Sequence, residues 1–182
     1  ICVEPNPQSF PALQARRRVP CIHAAIVGDA SQTDATLYLS QMAELATLNT
    51  AHSADIALIH RNVGLAFDGF KTAQVPAMTL DVLLEQHPLP QIDLLSIDVE
   101  WTNSAVLKGF SLHKHRPRVV VIEVGDGVHE GMAGYHFVHE QYSNRFYVRD
   151  TADIERMRAS FETPVKASAL VWSYYSEKFI RG

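Results

Sequence analysis

The 182-residue sequence predicts an α/β fold, a mostly parallel sheet covered by helices. Three observations predict it. Near-continuous apolar runs recur at residues 19–27 (VPCIHAAIV), 92–99 (IDLLSIDV) and 118–124 (RVVVIEV), the pattern of strands buried on both faces. Stretches with helix caps and helical spacing lie between them. Three of the strands end in acid: Glu4, then Asp98 with Glu100, then Glu123. Like charges gathered along one sheet edge repel each other and lose hydration, so the pattern points to a site rather than to stability. Ligands of parallel sheets bind at the carboxyl ends of the strands.

Each element follows in turn. Residues 1–3 read as the tail of a buried strand closed by Glu4-Pro5-Asn6-Pro7, and the chain opens inside that strand, so a preceding segment of the fold is expected. A helix runs on to about Arg18, with Phe10, Ala12 and Leu13 as inward candidates. Asn6 with Pro7 is one cap for it; Ser9 with Pro11 suits better. Residues 19–27 form the next strand, bounded by Pro20 and Gly28-Asp29. Residues 30–80 resist assignment. Within them, 35–40 (ATLYLS) alternates like a strand, 41–50 is ambiguous and 64–69 reads as loop. Residues 74–79 form a short strand leading to a short helix over 80–84, stopped by Pro88.

The strands at 92–99 and 118–124 flank a helix for which Thr102, Asn103 and Ser104 are cap candidates. Val106 and Phe110 share a face of it, and Lys108-Gly109 close it. Gly125-Asp126-Gly127 is a turn. The last third contains strands at 135–139, 145–149 and 167–175, with a helix across 151–161. With no internal repeat, low-complexity segment or linker, residues 1–182 read as one domain.

Composition narrows the function. Net charge is −4, and the basic clusters Arg16-Arg17-Arg18 and His113-Lys114-His115-Arg116 are too small to hold a polyanion, which excludes a nucleic-acid binder. No apolar run approaches the length of a membrane span and no signal peptide is visible. Cys2 and Cys21 lie in apolar runs and read as free thiols of a reducing, cytoplasmic compartment. The pairs His113/His115 and His136/His139 lack partner ligands at fitting spacing and read as surface or core histidines, so no metal site is assigned.

Several residues carry chemistry. Glu4 sits where an acid in a nucleotide-binding sheet accepts hydrogen bonds from ribose hydroxyls, with Pro5 and Pro7 stiffening the turn; a helix-start carboxylate is the plainer alternative. His23 and Ala24, near the end of the next strand, leave room for an adenine ring against the backbone, or His23 is an ordinary core histidine. Asp98 and Glu100 would share a face if their strand continued. Two such carboxylates bind a cation, orient a hydroxyl or take its proton, unless they merely cap the following helix. Glu123 faces the same crevice from the neighbouring strand.

Four stretches together resemble the FkbM methyltransferases: Val3-Glu4-Pro5-Asn6-Pro7; Met78-Thr79-Leu80-Asp81 with Leu83-Leu84; Ile97-Asp98-Val99-Glu100 with Val106-Leu107-Lys108-Gly109; and Val121-Ile122-Glu123-Val124. They span about two-thirds of the chain. The resemblance implies a Rossmann-like class I methyltransferase sheet with antiparallel closing strands, S-adenosyl-L-methionine as methyl donor, and a hydroxyl oxygen of a small molecule or carbohydrate as acceptor. Glu4, with Pro5 and Asn6, matches the ribose-binding acid and its turn, and Asp98 the acid beside the methionine end of the cofactor. Asp98, Glu100 and Glu123 are then the catalytic candidates. The family generally reads Gly and then Glu after the Asp-Val-Glu, where this chain has Trp101 and Asn103, and Ser96 replaces a common lysine. The resemblance also implies a first strand and a glycine-rich loop that this chain lacks, so cofactor binding by these residues alone is expected to be weak. Two rivals remain: a non-catalytic module of the same fold, favoured by Trp101 and Asn103, and a magnesium-dependent transferase using Asp98 and Glu100. Against the second, the chain shows no phosphate-cradling glycine loop.

Overall fold

A computed structural model describes residues 1–124 and 132–162. In chain order the elements are β1 (Cys2–Val3), α1 (Phe10–Arg16), β2 (Cys21–Ile22), β3 (Ala25–Ile26), β4 (Asp34–Leu39), α2 (Ser53–Asn62), β5 (Lys71–Met78) and α3 (Leu80–Gln86). Then follow β6 (Leu94–Ile97), α4 (Asn103–Lys108), α5 (Leu112–His115), β7 (Val119–Glu123), β8 (His136–Gln141), β9 (Asn144–Val148) and α6 (Ile154–Glu162). The architecture is mixed α/β, with three strand groups: β1-β2, β3-β5-β4 and β6-β7-β9-β8.

The expectation of a mostly parallel sheet is corrected. Pairs β1/β2, β3/β5 and β6/β7 are parallel, whereas β4/β5, β7/β9 and β8/β9 are antiparallel. The additional antiparallel strand is β4, whose alternating ATLYLS pattern buries Ala35, Leu37 and Leu39 on one face only.

The continuous strand expected at 19–27 is two short ones. Its backbone changes partner midway: the Glu4 N–H donates to the Ile22 carbonyl (3.1 Å), while the Val27 N–H reaches Met78 (3.0 Å). The step between them falls at His23-Ala24. Val19 is 46% exposed, so apolar character overstated the buried span there. The same holds at β6, which is four residues long and leaves Leu94 exposed. In α1 no residue is buried and Ala12 is exposed, contrary to its inward assignment. Ser9 does occupy the cap position before Pro11, though without a side-chain cap bond. Helix α2 had no counterpart in the sequence reading; only Ile56 and His60, one turn apart, are buried on it. The strand assigned to 167–175 and the Asp126 turn lie outside the described residues.

Two apolar clusters hold these elements. One joins β6 and β7 to α3 and α4 through Ile97, Ile122, Val120, Leu83, Val106 and Phe110. The other lies around β4 and β5, with Leu37, Val75 and Ala77 buried. Thr79 caps α3 by accepting the Val82 N–H (3.2 Å), and Asp81 accepts both the N–H (2.8 Å) and the hydroxyl (2.5 Å) of Ser111. Two glycines let α4 press on the end of β3. A Cβ on Gly28 would stand 2.5 Å from the Ala105 carbonyl oxygen, and one on Gly109 would stand 2.7 Å from that of Val27. This close approach fixes α4, and with it the turn that precedes α4. Gly28→Ala is therefore expected to cost about 2 kcal/mol, the scale of overpacking in a well-packed core. Urea unfolding would measure it, and an unchanged midpoint would show that α4 is not seated on β3.

Candidate functional site

The turn between β6 and α4 carries the central feature. β6 ends at Ile97, so Asp98 and Glu100 do not share a face by strand continuation as the spacing suggested. Instead the chain enters the left-handed region at two consecutive residues, Glu100 (φ 45°) and Trp101 (φ 61°). Side chains with a Cβ adopt that conformation at a cost of roughly 1–2 kcal/mol each, so it must be held by contacts. The Thr102 hydroxyl donates to the Val99 carbonyl (2.8 Å), and the Thr47 hydroxyl donates to the Glu100 carbonyl (3.0 Å). The Trp101 ring stacks on His52 with centroids 5.1 Å apart and planes 9° from parallel. Thr102, at the α4 cap position, makes no side-chain cap bond, and neither acid caps the helix.

The turn brings three carboxylates together. One oxygen from each of Asp98, Glu100 and Glu123 lies within 4.8 Å of the others. Asp98 is exposed and the two glutamates are half-buried. At about 4 Å and an effective dielectric near 20, two like charges repel by about 4 kcal/mol. That exceeds what a surface ion pair returns. Protonation is accordingly favoured. Burial, then the Asp98 charge, push the Glu100 carboxyl up to about 7. Burial, then Asp98 and Glu100, push Glu123 up to about 8; a hydrogen bond with Asp98 adds to the rise and one with Ser143 opposes it. The fully buried Asn103 donates its Nδ2 to the Glu123 carbonyl (3.2 Å), fixing the end of β7 against the start of α4.

The second group of sequence candidates surrounds Glu4. Its Oε1 accepts the Asn6 N–H at 2.7 Å. Burial raises the Glu4 carboxyl, against the lowering pull of that N–H and of His23. His23 bonds through Nε2 with the Pro5 carbonyl (3.0 Å) and stacks on Phe10 (4.8 Å). Asn6 is buried and its side chain is fully used, Nδ2 on the Ala43 carbonyl (3.1 Å) and Oδ1 on the Gln8 N–H (2.9 Å). Asn6 thus positions the turn, and Ala24 lies wholly buried in the step between β2 and β3.

Segment 43–47 links the two groups, because Ala43 is bound by Asn6 and Thr47 binds Glu100. Four residues span at most about 14 Å, so the Glu4 turn and the acid cluster lie at one rim. Sequence reasoning missed Thr47, His52 and Ser143. No local pattern marks a residue whose partner lies 20 to 53 positions away. The histidine pairs do not meet a common ligand: His115 pairs with Asp81 (3.0 Å) and His139 stacks on Phe161 (4.1 Å).

The acid cluster has a consequence for stability. Carboxyls held at about 7 and about 8 in the fold, against 4.5 in the unfolded chain, keep protons that the unfolded chain has released. Their favourable contribution is complete below about pH 4.5 and is lost as pH rises through 7 and 8. Glu123→Gln is expected to flatten this fall. In chelator-treated buffer at pH 8.5 its melting temperature should exceed that of the parent by about 3 °C, with little difference at pH 5. Parallel melting curves across the range would refute the charge account.

Residues 1–159 match the model of the methyltransferase FkbM domain, which takes in the Glu4 turn, both acidic strand ends and the β8-β9 hairpin. No curated protein and no solved structure matches the chain. With 159 of its 182 residues so matched, the chain belongs to the FkbM methyltransferase family.

Proposed function

We propose that this protein transfers a methyl group from S-adenosyl-L-methionine to a hydroxyl oxygen of a small molecule or sugar. One observation carries the reading: three carboxylates converge from the ends of β6 and β7, at the rim that also holds the Glu4 turn. Family membership supplies the reaction class.

The residues around Glu4 fit the nucleoside end of the donor. The carboxylate is half-buried with Oε1 committed to Asn6; among the described residues no further hydrogen bond reaches it. A ribose diol needs such an acceptor. The stacked His23–Phe10 pair gives an aromatic wall beside it. When bound, S-adenosyl-L-methionine supplies a methyl group on a positively charged sulfur. The chain does the rest. Glu4 holds the ribose, Asp98 faces the charged end, and the cluster orients the acceptor hydroxyl. As the acceptor oxygen gains the methyl group, its proton passes to a carboxylate of the cluster. The Trp101 ring, braced by His52, stands beside these carboxylates as a wall for an acceptor's apolar face.

Calorimetry on the full-length protein tests the donor. Glu4→Ala is expected to weaken binding about tenfold, equivalent to ~1.4 kcal/mol. Glu123→Gln should leave donor binding intact and lower kcat about 10²- to 10⁴-fold, the range for losing a positioned acid or base. Absence of heat at millimolar donor would sink methyl transfer and leave a binding module of the same fold.

A further inference from the structure

We propose that Cys2 and Cys21 form a thiol-oxidation site. A peroxide or a small-molecule disulfide joins them into a reversible intrachain disulfide, which clamps the loop that carries the Glu4 turn. The proposal goes beyond methyl transfer, and its bond-forming step does not rest on that reading.

Strand register carries it. Cys2 of β1 and Cys21 of β2 are direct partners in a parallel pair. Ladder bonds hold that register on both sides: the Cys2 N–H donates to the Pro20 carbonyl (2.9 Å), and the Glu4 N–H to that of Ile22 (3.1 Å). Paired strands lie about 4.8 Å apart, and facing residues of a parallel pair leave the pleat on the same side. That spacing falls within the Cα separation of roughly 4.4 to 6.8 Å that a disulfide spans. The Cβ atoms must then close to about 4 Å, which asks for a small local tilt. Among the described residues β1 and β2 form a sheet of two strands, two residues each, so little ladder resists the tilt.

Access and chemistry agree with the register. The sequence has two cysteines, so each is the other's partner within it. Both are free thiols and both are half-buried, open to a small oxidant. The Cys21 thiol donates to the Val19 carbonyl (3.4 Å), an exposed contact that water can replace. One sulfur, as the thiolate, attacks a peroxide oxygen, becoming a sulfenic acid and expelling hydroxide. The other thiolate attacks that sulfur, closing the S–S bond and expelling a second hydroxide. The two hydroxides take up the two thiol protons, so one peroxide becomes two waters as two thiols become one disulfide. With a small disulfide as oxidant, the same two electrons leave by thiol–disulfide exchange and release two small thiols.

The bond closes a loop over residues 3–20. Within that loop α1 buries no residue, and its ties to the rest of the molecule include the Asn6–Ala43 bond and the Phe10–His23 stack. Cross-linking the ends of such a loop restricts the unfolded chain and favours the folded one. Glu4 stands two residues beyond Cys2, and His23 two beyond Cys21, so the clamp acts on both sides of the turn.

The test exposes reduced, full-length protein to hydrogen peroxide or to glutathione disulfide, blocks remaining thiols by alkylation, and maps an unreduced digest by mass spectrometry. With either oxidant a peptide pair joined through Cys2 and Cys21 is expected, lighter by two hydrogens than the free-thiol peptides and split by dithiothreitol. The oxidised protein should melt about 5 °C above the reduced one. Cys2→Ser and Cys21→Ser should each abolish the linked pair and the rise. Comparing the two redox states of the unchanged chain keeps the test open should either variant fail to fold. Thiols still open to alkylation, or found only as sulfinic acid, as mixed disulfides or as links between chains, overturn the proposal. A linked pair with no rise in melting temperature overturns the clamp.

Discussion

Mutual repulsion among three carboxylates at one sheet rim is the constraint around which the neighbouring structure is organised. Left alone, Asp98, Glu100 and Glu123 would turn away from each other into water. They converge because the backbone after β6 reverses within two residues, and because residues distant in sequence hold that reversal shut. Thr47, His52 and Thr102 act on the turn itself, while Asn103 ties it to the end of β7. Gly28 and Gly109 act further back by letting α4 approach β3 and α3 at backbone distance. Segment 41–52 contains no α-helix or strand, only two short 3-10 turns, yet it contacts both the Asn6 and the Glu100 turns.

Trp101 and Asn103 make sense within this frame. The family generally places glycine where this chain has Trp101. A φ of 61° there states the reason, since glycine alone adopts that conformation without a Cβ penalty. The indole offsets part of that cost by stacking on His52. Asn103 stands where the family generally has Glu. At a fully buried position against the Glu123 backbone, a fourth carboxylate would add another like charge to the three already crowded there. The amide keeps an oxygen while removing the charge. Both replacements are therefore compatible with the proposed site.

Much of this was legible in the sequence, and the rest was hidden for physical reasons. Acids after apolar runs marked Glu4, Asp98, Glu100 and Glu123, because burial pattern and charge are local properties of the chain. Pro88 announced the stop after α3, and Lys108-Gly109 announced the end of α4. The β2/β3 break was not legible, because exchanging one strand partner for another leaves no trace in apolarity. Helix α2 was missed because two buried residues one turn apart are too narrow a stripe to stand out. The left-handed turn at Glu100-Trp101 was not legible because residues that hold it, Thr47 and His52, lie some fifty positions upstream.

Position along the rim also assigns different work to acids of the same chemical type. Glu4 has one fixed donor, the Asn6 N–H, and a nearby His23, which oppose but do not cancel the rise that burial imposes on its carboxyl. Glu100 and Glu123 have carboxylate neighbours as their principal partners, so their charge is met only by protons or by something that binds. An acid with no carboxylate neighbour and spare acceptor capacity suits a neutral diol, which asks only for hydrogen-bond acceptance. Acids left unsatisfied suit a partner that brings positive charge or a proton to give up. A sulfonium donor with a hydroxyl acceptor presents those demands in that order along its length. The division between Glu4 and the cluster thus suits the proposed methyl transfer, with the two kinds of acid carried by separate strand groups.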